Sequence, residues 1–317
     1  MPEWLIERGI GETRAALAEG GELVEARILV CGVVRVGSII AARLADCGTS
    51  GRNAIARDEQ GREYLLPRGA PGVSEGGSLH VEVKREAIAG AEPWKRPLAR
   101  TADGPARGAP PLDGREVTVP AARDDLGAAG WDDLLNQART GAVQFTGGEL
   151  RISPTPAMTL VDVDGHLPTD ELAVAGAAAA AKAVRRLDIG GSIGIDLPTA
   201  GRAARQCAAA AIDEYLPQPF ERTAVNGFGF VQIVRPRLRA SLIELANDRA
   251  AFEARALLRR AAFDGPGAKR LVAHPAVVAV LECRADWIEA LSSQVGGRVG
   301  LRVDAGLPMS GGYAEKA

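Results

Sequence analysis

Residues 158–196 read MTLVDVDGHLPTDELAVAGAAAAAKAVRRLDIGGSIGID. MTLVDVD (158–164) has the branched apolar residues of a strand. Residues 169–187 are Ala-rich and read as a long helix, with Thr169 or Asp170 as its cap and Gly190-Gly191 at its end. SIGID (192–196) returns as a second strand. Strand, helix, strand over this length is a βαβ unit. If the strands are parallel neighbours, Asp162 and Asp196 emerge at the same C-terminal edge, where open α/β sheets place their sites. Asp164 lies two residues beyond Asp162 and so shares its face. Carboxylates gathered without a lysine repel one another, and Mg²⁺, which keeps several waters, is the usual resolution. The plainer alternative is that these are strand-end aspartates organising turns.

Outward from this unit, GFGFVQIV (227–234) reads as another strand and 199–214 as a helix. Upstream, WDDLLNQAR (131–139) reads as a short amphipathic helix, followed by a hairpin, AVQFTG with ELRIS, about Gly147-Gly148. Residues 103–115, DGPARGAPPLDGR, form the clearest linker. Before them, 31–103 hold about five short strands broken by Gly, Pro and Asn, the spacing of a small barrel. Residues 3–30 read as a hairpin turning at Gly20-Gly21. The tail, 248–317, reads helix (DRAAFEARALLRRAAF), strand (RLVAHPAVVAVL), helix (ADWIEALSS), strand (GRVGLRVD).

The chain has 317 residues, 46% of them hydrophobic and 25% charged, the balance of a soluble protein with a sizeable core. The four cysteines (31, 47, 207 and 283) include no C-x-x-C pair, which argues against a zinc site or a disulfide framework. No apolar leader or run of membrane-span length is present, so a cytoplasmic location and no membrane partner are expected. The net charge of −2 argues against a strongly basic nucleic-acid binder, but it sums unlike regions. Residues 149–200 hold seven acids against four bases, and 201–240 hold six arginines against three acids. Two basic runs, WKRPLAR (94–100) and RPRLR (235–239), are candidate phosphate contacts, though such runs are as often solvated faces. Tyr64 reads as core, whereas Trp94 is a candidate base-stacking residue. His80, His166 and His274 are too scattered for a triad, and NGFGF is a weak glycine pattern.

The segments ISPTPAMTLVDVDG and LDIGGSIGIDLPT resemble the catalytic segment of the ribonuclease E/G family. There, a strand ending Ile-Asp-Ile-Asn and a later Leu-Gly-Gly-(apolar)-Ile-Asp strand supply two magnesium-binding aspartates. Asp162 and Asp196 fall on those positions; Asp164 replaces the family's Asn, keeping an oxygen donor and adding charge. ETRAALAEGGELVE (12–25) is similar to the family's opening hairpin. GFGFVQIVRPRLRASL (227–242) is similar to its post-catalytic segment, with Gln232 in place of Glu and with Arg235 and Arg237 retained. The tail around 270–291 resembles the family's small C-terminal domain.

The resemblance implies an α+β multidomain fold: an N-terminal hairpin (1–30), an OB-like RNA-binding barrel inserted after it (31–103), a linker and reduced RNase-H-like segment (104–150), a DNase-I-like mixed α/β catalytic subdomain (151–245) and a small α+β C-terminal domain (246–317). It implies an endoribonuclease that cleaves single-stranded RNA in RNA processing or decay. Asp162 and Asp196 would be catalytic and, with Asp164, would hold Mg²⁺, for which Mn²⁺ could substitute. The products would carry 5′-phosphate and 3′-hydroxyl ends. Trp94, Lys95, Arg96, Arg235 and Arg237 would contact RNA. The family's Cys-Pro-x-Cys zinc link and its 5′-monophosphate sensor have no counterpart, so no zinc and no 5′-monophosphate preference are expected, and any homodimer would not be joined by zinc. A non-catalytic RNA-binding or ribosome-associated factor on the same fold is the main alternative. A DNA nuclease using the same metal site is another.

Overall fold

The computed structural model describes residues 3–88, 95–120 and 123–316. Among these, a mixed α/β chain forms eight helices, three sheets and a closed five-stranded barrel. The single hairpin expected over 3–30 is a three-stranded meander instead: Glu3–Arg8, Glu12–Glu19 and Glu22–Val30. The added turn forms at 9–11, where Gly11 adopts φ +75° and the Gly9 N–H donates to the Glu12 carbonyl at 2.9 Å. The linker region expected at 103–115 ends in a strand. Arg115–Val117 runs parallel to Glu3–Arg8 and completes a four-stranded sheet.

Between these parts of the first sheet lies the barrel, built from Ile39–Asp46, Ala54–Arg57, Glu63–Leu66, Ser78–Arg85 and Leu98–Thr101. It has its own core of Leu44, Ala54, Ala56, Tyr64, Leu66, Val81 and Val83. Tyr64 is buried there as its sequence context predicts, and its hydroxyl donates to Asp58 Oδ2 at 3.2 Å.

The six-stranded sheet runs Ala142–Phe145, Gly148–Pro154, Thr159–Gly165, Gly191–Asp196, Phe230–Arg235, Glu221–Arg222 in spatial order. Thr159–Gly165 and Gly191–Asp196 are parallel neighbours joined by the helix Thr169–Arg186, which is the predicted βαβ unit. Val161, Val163, Ile193 and Ile195 point into the core, where the helix's alanines Ala177, Ala180 and Ala181 are fully buried. The helix comes so close that a Cβ at Gly176 would overlap Val163 Cγ1. A second helix, Arg202–Tyr215, packs beside it.

The helix ends differ from the sequence reading. Pro168 occupies the N-cap without a side-chain cap, and the Asp170 carboxylate accepts instead from the Gly201 N–H at 2.8 Å. The helix stops at Leu187 because Asp188 adopts φ +52°, before Gly190-Gly191 is reached.

The C-terminal part also differs. The strand expected over 270–281 divides at His274 into a strand, Lys269–Ala273, and a helix, Pro275–Glu282. Pro275 has the φ that suits a first helical residue, and His274 Nδ1 accepts from the Ala276 N–H at 3.2 Å. Lys269–Ala273 is flanked by Val299–Val303 and Tyr313–Lys316, and the helices Arg249–Phe263 and Ala285–Val295 cover this sheet.

A buried ionic cluster ties the first sheet to the helix Arg249–Phe263. Arg14 contacts both Glu7 and Glu12 at 2.7 Å. Arg255 Nε donates to Glu12 at 2.7 Å, and Arg259 bridges Glu7 and Asp124. Glu7 is fully buried and Arg14 almost so, so these charges rely on each other. Among the described residues, no helix is long and apolar enough to cross a membrane.

Candidate functional site

The parallel register sets Asp162 directly opposite Asp196. Strand alternation turns the neighbouring Val161, Val163 and Ile195 into the core and leaves both aspartates on the outward face. Asp164 is exposed on the same strand, one row further along. On the other side of Asp162 its register partner is Arg151, but that guanidinium pairs with Glu149. Among the described residues, neither Asp162 nor Asp196 has an ion-pair partner. Asp162 is held above the usual carboxylate range, first by partial desolvation and then by the negative charges of Asp164 and Asp196.

The floor beside the pair is apolar. Gly194 sits next to Asp196 on the same strand, and a Cβ there would come within 2.6 Å of Phe230 Cζ and 3.1 Å of Leu160 Cδ2. The missing side chain lets the Phe230 ring lie across the strand. Gln232, in register with Gly194, is oriented by donating its Nε2 to Ser192 Oγ at 3.0 Å.

These donors suit a hard cation of the Mg²⁺ type. Two opposed carboxylates with mutual repulsion and no ion-pair partner are the protein share that Mg²⁺ takes, with water or substrate completing its shell. They do not make a closed cage: among the described residues, no group of three or more His, Cys, Asp or Glu side chains converges to hold a metal ion.

The basic residues predicted to meet RNA have internal partners. Lys95 Nζ donates to the Pro156 carbonyl at 2.9 Å, linking the barrel side of the chain to the approach of the Asp162 strand. Arg96 Nε pairs with Glu63 at 2.7 Å. Arg235 Nη1 donates to the Ile189 carbonyl at 3.2 Å and is half-buried, which lowers its pKa. Arg237 pairs with Glu244 and lies along Gly190 and Gly191. Arg239 pairs with Asp188 at 3.0 Å. Trp94 lies outside the described residues.

The strand read over 227–234 begins only at Phe230; residues 226–229 form a turn, which the sequence shows only as the weak glycine pattern NGFGF. Its Phe228 is 83% exposed, the most open of the large apolar side chains among the described residues. Asn226 Oδ1 accepts from the Phe228 and Phe230 N–H groups, at 2.9 and 3.1 Å. Thr199 Oγ1 donates to the Phe228 carbonyl at 3.3 Å, and the Leu197 N–H donates to that of Gly229 at 3.3 Å. The turn is thereby fastened to the residues that follow Asp196. The available signal was an aromatic residue inside Asn-Gly-Phe-Gly, a turn whose asparagine can bond the following backbone. The chain matches no protein-family model and no curated protein.

Proposed function

We propose that this protein is a Mg²⁺-dependent endoribonuclease that cleaves single-stranded RNA, leaving 5′-phosphate and 3′-hydroxyl ends. The observation that carries the proposal is the opposed pair Asp162 and Asp196, outward-facing, uncompensated and at the C-terminal edge of parallel strands. The same reading describes the barrel as OB-like, residues 151–245 as DNase-I-like and the whole as similar to the ribonuclease E/G family, although the sheet of that subdomain begins earlier, with Ala142–Phe145 and Gly148–Pro154.

Asp162 and Asp196 would hold the ion, with Asp164, exposed on the same strand, a further oxygen donor. Bound there, Mg²⁺ supplies charge stabilisation at the phosphodiester and activation of the attacking water. The protein's own contribution is placement. The Phe230 and Leu160 side chains shape an apolar floor beside the carboxylates, and the Gln232 amide is held at the next strand by Ser192. Lys95 fixes the approach to the Asp162 strand through Pro156.

The test is Mg²⁺-dependent cleavage of a defined single-stranded RNA, with Mn²⁺ as substitute and DNA of equal sequence as control. Asp162→Asn and Asp196→Asn should each lower the rate at least a hundredfold while circular dichroism stays unchanged. Undiminished cleavage by either variant overturns the assignment. The closed five-stranded barrel favours one second reading, an RNA-binding factor without chemistry. That factor would bind RNA in EDTA and leave it intact when Mg²⁺ or Mn²⁺ is added.

A further inference from the structure

We propose that Phe228, with Arg205 reaching its turn and Arg202 one helical turn before Arg205, is a nucleotide subsite of this same centre: the ring stacks a base of single-stranded RNA while the arginines hold an adjoining phosphate. The proposal rests on the RNA reading above.

Single exposed apolar residues are ordinary, so exposure alone decides nothing. The hold on Phe228 is what distinguishes it. Its N–H is taken by Asn226 and its carbonyl by Thr199, and Gly229 adopts φ +93° against the Leu197 carbonyl, where no side chain would fit. Asp196 is in register with Phe230, two residues along. The ring is thus anchored beside the end of the Asp196 strand and presented to solvent. An aromatic ring fixed in advance loses little freedom when a base stacks on it.

Charge lies beside it. The helix Arg202–Tyr215 begins six residues after Asp196, and a Cβ on Gly227 would lie 3.5 Å from Arg205 Nη1, so that guanidinium reaches the same turn. Arg202, Arg205 and Arg222 line a cavity of about 260 Å³ together with Gln206, Ala209 and Val225. Arg222 is neutralised by Asp213 at 2.7 Å. Among the described residues, neither Arg202 nor Arg205 has an acidic partner, and Arg205 Nε is shielded from solvent without an acceptor. Uncompensated guanidinium groups beside a presented ring fit a phosphate next to an unstacked base. The bases of a duplex are already stacked within it, which selects a single strand.

Fluorescence anisotropy of a labelled single-stranded RNA, with the full chain in EDTA, tests this apart from cleavage. Phe228→Ala should weaken binding about tenfold, within the range of one base–aromatic stack. Phe228→Trp should bind like wild type, with its added indole emission quenched by RNA. The paired change Arg202→Ala and Arg205→Ala should reduce the slope of log K against log salt by about 0.7, the share of one phosphate on a single strand. An abasic oligomer of equal length should bind wild type and Phe228→Ala alike. The subsite is overturned if Phe228→Ala binds RNA as wild type does, or if Phe228→Trp loses affinity as the alanine variant does. Cleavage by wild type with no effect of Phe228→Ala removes the subsite and leaves the nuclease. Weakened binding by that variant, with no cleavage by wild type, removes the nuclease and leaves the subsite. No RNA binding by wild type removes both.

Discussion

Asp58 shows how one side chain can fix the local structure of the barrel. It is nearly buried and accepts from the backbone N–H groups of Gln60 and Arg62 at 3.0 and 2.9 Å, from Arg62 Nε at 2.6 Å and from the Tyr64 hydroxyl at 3.2 Å. Burial alone would push its carboxyl up, but the bonds from Arg62 and Tyr64 outweigh it and hold it below the usual range. A depressed carboxyl stabilises the fold above its ordinary pKa, and that stability is lost as pH falls through the folded value. Asp58→Asn should therefore cost about 1–3 kcal/mol at pH 7, and the gap from wild type should close below about pH 3.9. Urea midpoints over a pH series measure it. Burial pushes Tyr64 the other way, up to about 12. Its ultraviolet titration should lag an ordinary tyrosine near 10, and the fold should lose stability as pH rises through that interval.

The helix Thr169–Arg186 sets local propensity against packing. Gly176→Ala improves helix propensity by up to about 1 kcal/mol. The added methyl would overlap Val163 Cγ1, between the two outward aspartates of that strand. A branched side chain on a buried strand cannot swing away, so overpacking should win, with a net loss of about 1–2 kcal/mol in chemical denaturation. The displaced strand should also lower RNA cleavage. This βαβ unit was legible in the sequence because strand, helix and glycine breaks are all local signals, and so were its opposed aspartates. The helix ends were not. Asp170 is drawn to the Gly201 N–H, 31 residues away, in preference to its own helix terminus. The division at His274 was missed because the run is apolar on both sides of His274-Pro275, and either a strand or a buried helix accepts such a run. The arginines of RPRLR look free in sequence, but Ile189, Glu244 and Asp188 take them in space. Phe228 was overlooked because nothing in its own type says which way a turn presents it.

At the scale of the molecule, the ionic cluster around Glu7 joins the N-terminal meander to the helix Arg249–Phe263. Arg259 serves Glu7 and Asp124 together, so Arg259→Ala should cost about 3–5 kcal/mol by leaving buried carboxylates without their partner. The denaturation midpoint should drop accordingly, and Trp287, whose ring packs on Gly11, should report the loosening through its emission. The same cluster sets an order of events during synthesis. Glu7 and Glu12 share the single positive charge of Arg14 until Arg255 and Arg259 are made. Arg259 follows Glu7 by 252 residues, which at ribosomal speeds of about 5–20 residues per second is a delay of roughly 13–50 s. For that interval the meander carries an excess negative charge that it cannot bury alone. The strands of the meander are therefore sealed only after the helix Arg249–Phe263 is made, and a chain truncated before Arg255 would leave them open to proteolysis.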